Sequence, residues 1–144
     1  MPIKRCSAQK AITLEAFYRE LAKRAGNHSP LPAICERMLL FLKMVDDLFK
    51  ETTIWTFTSH DRLVLQNEDK IGRNLVIISS IGLDSYYFEY LLPVNKSPWP
   101  NAMVRGEAKN LEEAKKYLLI AMRESEGWID NEELNHLLSI YIQQ

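Results

Sequence analysis

The chain predicts an α+β fold: a single domain with two N-terminal helices, an antiparallel sheet of four or five strands in meander order, and two C-terminal helices. The helices are expected mainly on one face of the sheet. Three observations carry this expectation. Apolar residues recur at helical spacing from Thr13 to about Lys50. They alternate, or run continuously in short β-branched stretches, from Thr53 to Leu92. They return to helical spacing from Asn110 to the end of the chain.

Residues 1–12 carry little pattern within a domain spanning 1–144: either Ser7 starts a helix or the segment frays. Thr13 is a predicted N-cap. Leu14, Phe17, Tyr18, Leu21, Ala22 and Ala25 follow on one face, and Gly26-Asn27 ends the helix. Ser29 caps the next helix, with Pro30 at its first position, where a missing N–H costs nothing. Its stripe of Leu31, Ile34, Cys35, Met38, Leu42, Val45 and Phe49 is widened by Leu40, Phe41 and Met44. A helix this apolar is predicted to lie at the centre of the core.

Thr53 to Thr58 and Arg62 to Gln66 read as a hairpin around Ser59-His60-Asp61. Asn74 to Ile81 reads as a central strand and Tyr86 to Leu92 as its antiparallel neighbour, with a short edge strand at 102–105. Short turns between successive strands require antiparallel pairing, because parallel pairs need a long crossover. Asn110 with Glu113, and the run Asp130-Asn131-Glu132-Glu133, are helix-start signals. Gly127 reads as the stop between the last two helices.

The formal net charge of −1 gives no overall pull toward nucleic acid or membrane. The ends differ, however: residues 1–27 are mostly basic and residues 107–133 mostly acidic. Two cysteines, Cys6 and Cys35, show no metal or redox spacing, and a reducing cytoplasm suits them, although a bridge between them is an alternative reading. No signal peptide or membrane-length apolar run is expected.

Phosphate-binding glycine motifs, a nucleophile elbow and metal-ligand sets are absent, so no cofactor and no metal are expected. His60 and Asp61 form a weak acid–base candidate at a hairpin tip. Lys4, Arg5, Lys10, Lys23 and Arg24 could face phosphates, but no helix-turn-helix or RNA-recognition signature accompanies them.

The remaining candidates form a partner-binding set: Tyr87, Glu89, Trp99, Glu124, Glu126 and Asp130. Strand alternation sets Tyr86, Phe88, Tyr90 and Leu92 against Tyr87, Glu89 and Leu91. If that face is covered, Glu89 must be paired or raised in pKa; if it is open, Glu89 is a solvated residue with Arg62 or Arg105 as cross-strand partners. Trp99 lies between Pro98 and Pro100, either folded back as a lid on the core or held out as an anchor. The leading expectation is a non-enzymatic protein-binding module, in its specific form a small bacterial immunity- or antitoxin-type protein that neutralises a basic partner. An alternative is a small-molecule binder or enzyme with a pocket between sheet and helices lined by Tyr86, Phe88, Trp55 and Glu89. A nucleic-acid binder acting through the basic N-terminal region is the third. A homo-oligomer through an exposed strand edge or aromatic face is compatible with each.

Overall fold

The period-2 stretch from Thr53 onward builds a meander, and the N-terminus adds to it. The computed structural model describes residues 3–26, 28–72, 75–81 and 85–142. The elements run β1 (Ile3–Arg5), α1 (Leu14–Arg24), α2 (Leu31–Leu48), β2 (Ile54–Ser59), β3 (Arg62–Gln66), β4 (Val76–Ile81), β5 (Ser85–Leu91), β6 (Met103–Ala108), α3 (Leu111–Glu124) and α4 (Glu132–Tyr141). Single 3₁₀ turns lie at Ser7–Gln9 and Val94–Lys96. The six strands stand in sequence order in one sheet, antiparallel throughout except for β1, which lies parallel to β2.

The first twelve residues are therefore more ordered than their pattern suggests. β1 is too short for periodicity to reveal. It is held by tertiary bonds: the Cys6 N–H donates to the Thr56 carbonyl at 2.7 Å, and the Thr56 hydroxyl donates to the Lys4 carbonyl at 2.9 Å. Gln9 then continues along the same edge. Its side-chain amide donates to the Thr58 carbonyl and accepts from the Thr58 N–H, at 3.1 and 2.8 Å.

The helices cover one face. Ile54, Leu63, Leu65, Val76, Ile78, Tyr86 and Phe88 point into the core shared with α2 and α3. α2 buries Cys35, Met38, Phe41, Leu42 and Val45, and so is the central helix that its composition predicts. Leu40 departs from the expected stripe and stands half exposed. Phe41 meets Tyr86 and Phe88 with ring centroids 5.8 and 6.0 Å apart, and Phe88 meets Tyr117 of α3 at 5.9 Å. The Tyr86 hydroxyl also donates to the Arg37 carbonyl at 2.9 Å. Cys6 and Cys35 are both buried free thiols, not a bridge, and burial pushes both up in pKa.

The caps are mostly where the sequence places them. Thr13 Oγ1 accepts from Ala16 N–H, and Asn110 Oδ1 from Glu113 N–H. Gly26 takes the left-handed conformation past α1. Asn27, and Asn74 at the expected start of the central strand, lie outside the described residues. The cap position of α2 is Pro30, one residue later than expected, although Ser29 Oγ still accepts from Leu31 N–H at 3.1 Å. At the end of α3 the left-handed residue is Glu126, with φ 59°, rather than Gly127. A Cβ at Gly127 would meet Leu75 Cδ1 at 3.0 Å, so the Leu75 side chain would have to shift for a larger residue there.

Asn131, not Asp130, caps α4, accepting from Leu134 N–H at 2.7 Å. Glu133 then reaches across to the link between α2 and β2. Its carboxylate accepts from the backbone N–H groups of Lys50 at 2.6 Å, Glu51 at 3.1 Å and Thr52 at 2.8 Å. Burial opposes ionisation there, but these donors outweigh it and hold the carboxyl below the ordinary glutamate value. A depressed carboxylate stabilises the fold above its unfolded pKa, and that contribution fades as pH falls through the folded value. Glu133→Gln should therefore cost about 1–3 kcal/mol at neutral pH in urea unfolding. It should also flatten the loss of stability that the native chain shows as pH drops below the glutamate range.

Candidate functional site

Three places gather the candidate residues. The first is the sheet face without helices. Register places Phe57, Val64, Ile77, Glu89 and Arg105 side by side across β2 to β6, and Ser79, Tyr87 and Glu107 in the neighbouring row. Phe57, Val64 and Ile77 form a small second apolar cluster with Met103 against it. Glu89 Oε1 accepts from the Tyr87 hydroxyl at 2.5 Å and meets Arg105 Nε at 2.8 Å. Of the two basic residues that could have paired with Glu89, the sheet selects Arg105, directly opposite it. The Glu89 side chain keeps only 12% of its surface, against 71% for Arg105. Burial and the Glu89 contact raise the Tyr87 phenol, so it stays a neutral donor at physiological pH. The trio is a fixed polar bracket, with its acid already engaged by two partners.

The pocket expected from Tyr86, Phe88, Trp55 and Glu89 does not form. Tyr86 and Phe88 face the helices, whereas Glu89 shares its face with Phe57, and Trp55 sits two residues from Phe57 on that same side. Two faces of one sheet cannot line one cavity.

The second place is the end of the molecule where β5 passes to β6. Trp99 is 67% exposed, which rules out the lid. The buried residues of this connection are Pro93 and Ala102, and the tryptophan that fills the core nearby is Trp128, 6% exposed. The connection is nevertheless held. Leu92 N–H donates to the Ala102 carbonyl at 2.9 Å, Lys96 N–H to the Pro93 carbonyl at 2.9 Å, and Ser97 Oγ to the Pro93 carbonyl at 3.1 Å. Lys96 Nζ reaches Glu126 at 2.9 Å and so ties this loop to the turn between α3 and α4. That turn carries Ile129, 68% exposed, while Val94 is 87% exposed. These three are the most exposed large apolar side chains of the described residues.

The acidic candidates lie on and beside that turn, and two of them are matched within the chain. Arg123 Nη2 meets Glu124 at 3.1 Å, and Glu126 holds Lys96. Asp130 is exposed, with φ 67°, and makes no side-chain hydrogen bond or ion pair among the described residues. Asn101, Glu126 and Asp130 all adopt left-handed backbone, so both loops hold sparsely populated conformations. Val94 and Ile129 carry no sequence signal as site residues; each is a lone apolar residue in a polar stretch.

The third place is a cleft of about 740 Å³ lined by Arg5, Phe17, Leu31, Thr58, His60 and Asp61, among others. His60 is exposed at the hairpin tip with φ 58°. It makes no hydrogen bond to Asp61 among the described residues; Asp61 instead uses its backbone carbonyl to accept from the Tyr18 hydroxyl at 3.0 Å. Arg5, one of the basic residues of the nucleic-acid reading, is committed to the fold. It donates to the Gln9 and Ile12 carbonyls at 3.0 and 3.2 Å, bonds Thr58, and lies over the Phe17 ring at 4.9 Å. Among the described residues no cluster of three or more His, Cys, Asp or Glu could hold a metal, and no helix is long and apolar enough to cross a membrane.

Comparison with protein families, with characterised proteins and with solved structures gives no match to this chain. The two tryptophans of the loop end provide the sharpest check on its geometry. Trp99→Ala should change unfolding free energy by less than about 0.5 kcal/mol, as for an exposed side chain. Trp128→Ala should cost about 3–5 kcal/mol. Guanidinium titrations of the two variants measure both.

Proposed function

We propose that the chain is a non-catalytic protein-binding module that engages a partner protein through the Trp99 loop and the adjoining turn between α3 and α4. The supporting observation is Trp99 itself: a large ring 67% exposed on a connection held by two prolines, a 3₁₀ turn and an ion pair to the neighbouring loop. Tryptophan anchors carry a large share of binding energy at protein interfaces, and a loop already held in place loses little entropy on docking. Val94 and Ile129 extend the apolar contact, and Asp130 adds an uncompensated charge at its rim. Tyr87 and Glu89 belong to the sheet face rather than to this contact.

The specific form of this reading is an immunity- or antitoxin-type protein that neutralises its partner in the cytoplasm. Small size, the lack of a catalytic set in the sequence and two buried free thiols suit it. With Glu124 and Glu126 matched internally, selection of a basic partner falls mainly to Asp130 and the exposed Glu132.

A second reading takes the small-molecule alternative to the cleft beside His60 and Asp61. Its volume lies in the range of ligand pockets, and Phe17, Leu21 and Leu31 give its lining apolar surface. A thermal-shift screen against metabolites and nucleotides tests it, since a ligand specific for the folded state raises the melting temperature.

Mixing the purified chain with the products of neighbouring genes tests the first reading. A complex is expected with one of them, measured by calorimetry, and Trp99→Ala should weaken it by at least about thirtyfold. Failure to bind any of them removes the proposal. A complex that Trp99→Ala leaves intact removes the Trp99 loop as its contact.

A further inference from the structure

The two edges of the sheet are treated differently. β2 has no open edge: β1 lies alongside Ile54 to Thr56, the Gln9 amide pairs both backbone groups of Thr58, and the edge strand on that side is β1, only three residues long. The opposite edge, β6, is a six-residue strand from Met103 to Ala108, paired to β5 on its inner side. No described residue hydrogen-bonds its outer side. Exposed backbone of this kind is a template for another strand.

The direction of the free groups follows from the ladder. The Ala102 carbonyl accepts from Leu92 N–H, so Ala102 turns toward β5. In an antiparallel pair the N–H and C=O of one residue point the same way and alternate along the strand. Val104, Gly106 and Ala108 therefore also bond inward, and Met103, Arg105 and Glu107 offer their backbone groups outward.

We propose that β6 is the pairing edge of a symmetric dimer, in which a second copy of this chain adds its β6 antiparallel about Gly106 and one sheet runs through both molecules. Symmetry and hydrogen bonding restrict the registers. Outward residues must face outward residues, so the position numbers of opposed residues add to an even number. Centring on Arg105 would set Arg105 against Arg105 of the second copy, and centring on Glu107 would set Glu107 against itself and Arg105 against Lys109. Like charges directly opposed destabilise a sheet. Centring on Gly106 sets Arg105 against Glu107 of the second copy, and by symmetry does so twice. The same register sets Val104 against the small Ala108.

The side chains are placed for it. Arg105 is 71% exposed even while bonded to Glu89, leaving its terminal nitrogens available to a second carboxylate. Glu107 is exposed and makes no hydrogen bond or ion pair among the described residues. These charges attract a copy in the Gly106-centred register, which makes the edge self-complementary there. The contact lies along β6 and does not depend on the Trp99 reading.

Sedimentation equilibrium of the full chain, up to about 1 mM, tests the dimer. The native chain should show concentration-dependent association. Glu107→Arg should weaken it by at least about tenfold, because Arg105 then meets a second arginine across the edge. Arg105→Glu should do the same, and an equimolar mixture of the two variants should restore association as a heterodimer. If Arg105→Glu fails to fold for want of its Glu89 contact, Glu107→Pro is the second variant, since the N–H it removes points away from β5. A native chain that stays monomeric overturns the proposal. So does a dimer that Glu107→Arg and Glu107→Pro both leave unchanged.

Discussion

The packing of Phe41 against Tyr86 and Phe88 sets the frame for the rest of the molecule. β5 is aromatic on both faces, so composition alone does not say which face should be covered. The helices settle it. Once α2 and α3 lie over Tyr86 and Phe88, pleat alternation sends Tyr87 and Glu89 to the opposite side. A shift of one residue in register would bury Glu89 under α2 and expose two large rings. The cost of an unpaired buried carboxylate, several kcal/mol, makes that alternative untenable. Glu89 on the face away from the helices instead finds Tyr87 and Arg105 within hydrogen-bond reach.

Polar side chains then fix the parts that the apolar core does not reach. Arg5 gathers the 3₁₀ turn, the residues leading into α1, and β2, through the Gln9 and Ile12 carbonyls and Thr58. Burial lowers its pKa, yet an arginine remains charged at any physiological pH, so its hydrogen bonds rather than loss of the proton offset the desolvation. Glu133 acts in the same way at the other end, closing three backbone donors between α2 and β2. In both cases one long charged side chain replaces secondary structure that the local chain cannot form. At the loop end Trp99 stays outside, whereas Trp128 is buried in the core.

These polar anchors also mark how far the sequence could be read. The four helices, the meander order and the inward face of β5 were legible, because each repeats a period several times. The Thr13, Asn110 and Asn131 starts were legible because caps have local chemistry. β1 was not: three residues hold no period, and its pairing with β2 is a contact across the chain. The six-residue length of β6 was also missed, since Gly106 and the charges of Arg105 and Glu107 resemble a turn. A Cβ on Gly106 would meet the Tyr117 ring of α3 at 3.3 Å, a close approach invisible locally. Glu126 shows the same limit. The Glu126-Gly127 pair invites the glycine to end α3, yet the left-handed position falls to the glutamate. For the candidate site, the exposure of Trp99 was one of two open readings, and Val94 and Ile129 could emerge only from the fold.

The asymmetry of the two sheet edges follows from the chain path. The meander places its first strand, β2, at one edge and its last, β6, at the other, and both would be open in a bare meander. The N-terminal segment closes only the first, because α1 and α2 lead directly from it into β2. The C-terminal segment has no equivalent freedom. Asn110 caps α3 two residues after β6 ends, so the chain turns at once onto the helical face and α3 packs over β5. The described residues after β6 go into α3 and α4. An edge of this length carries its own charges, Arg105 and Glu107 on either side of Gly106, and these discourage an apolar strand from pairing there.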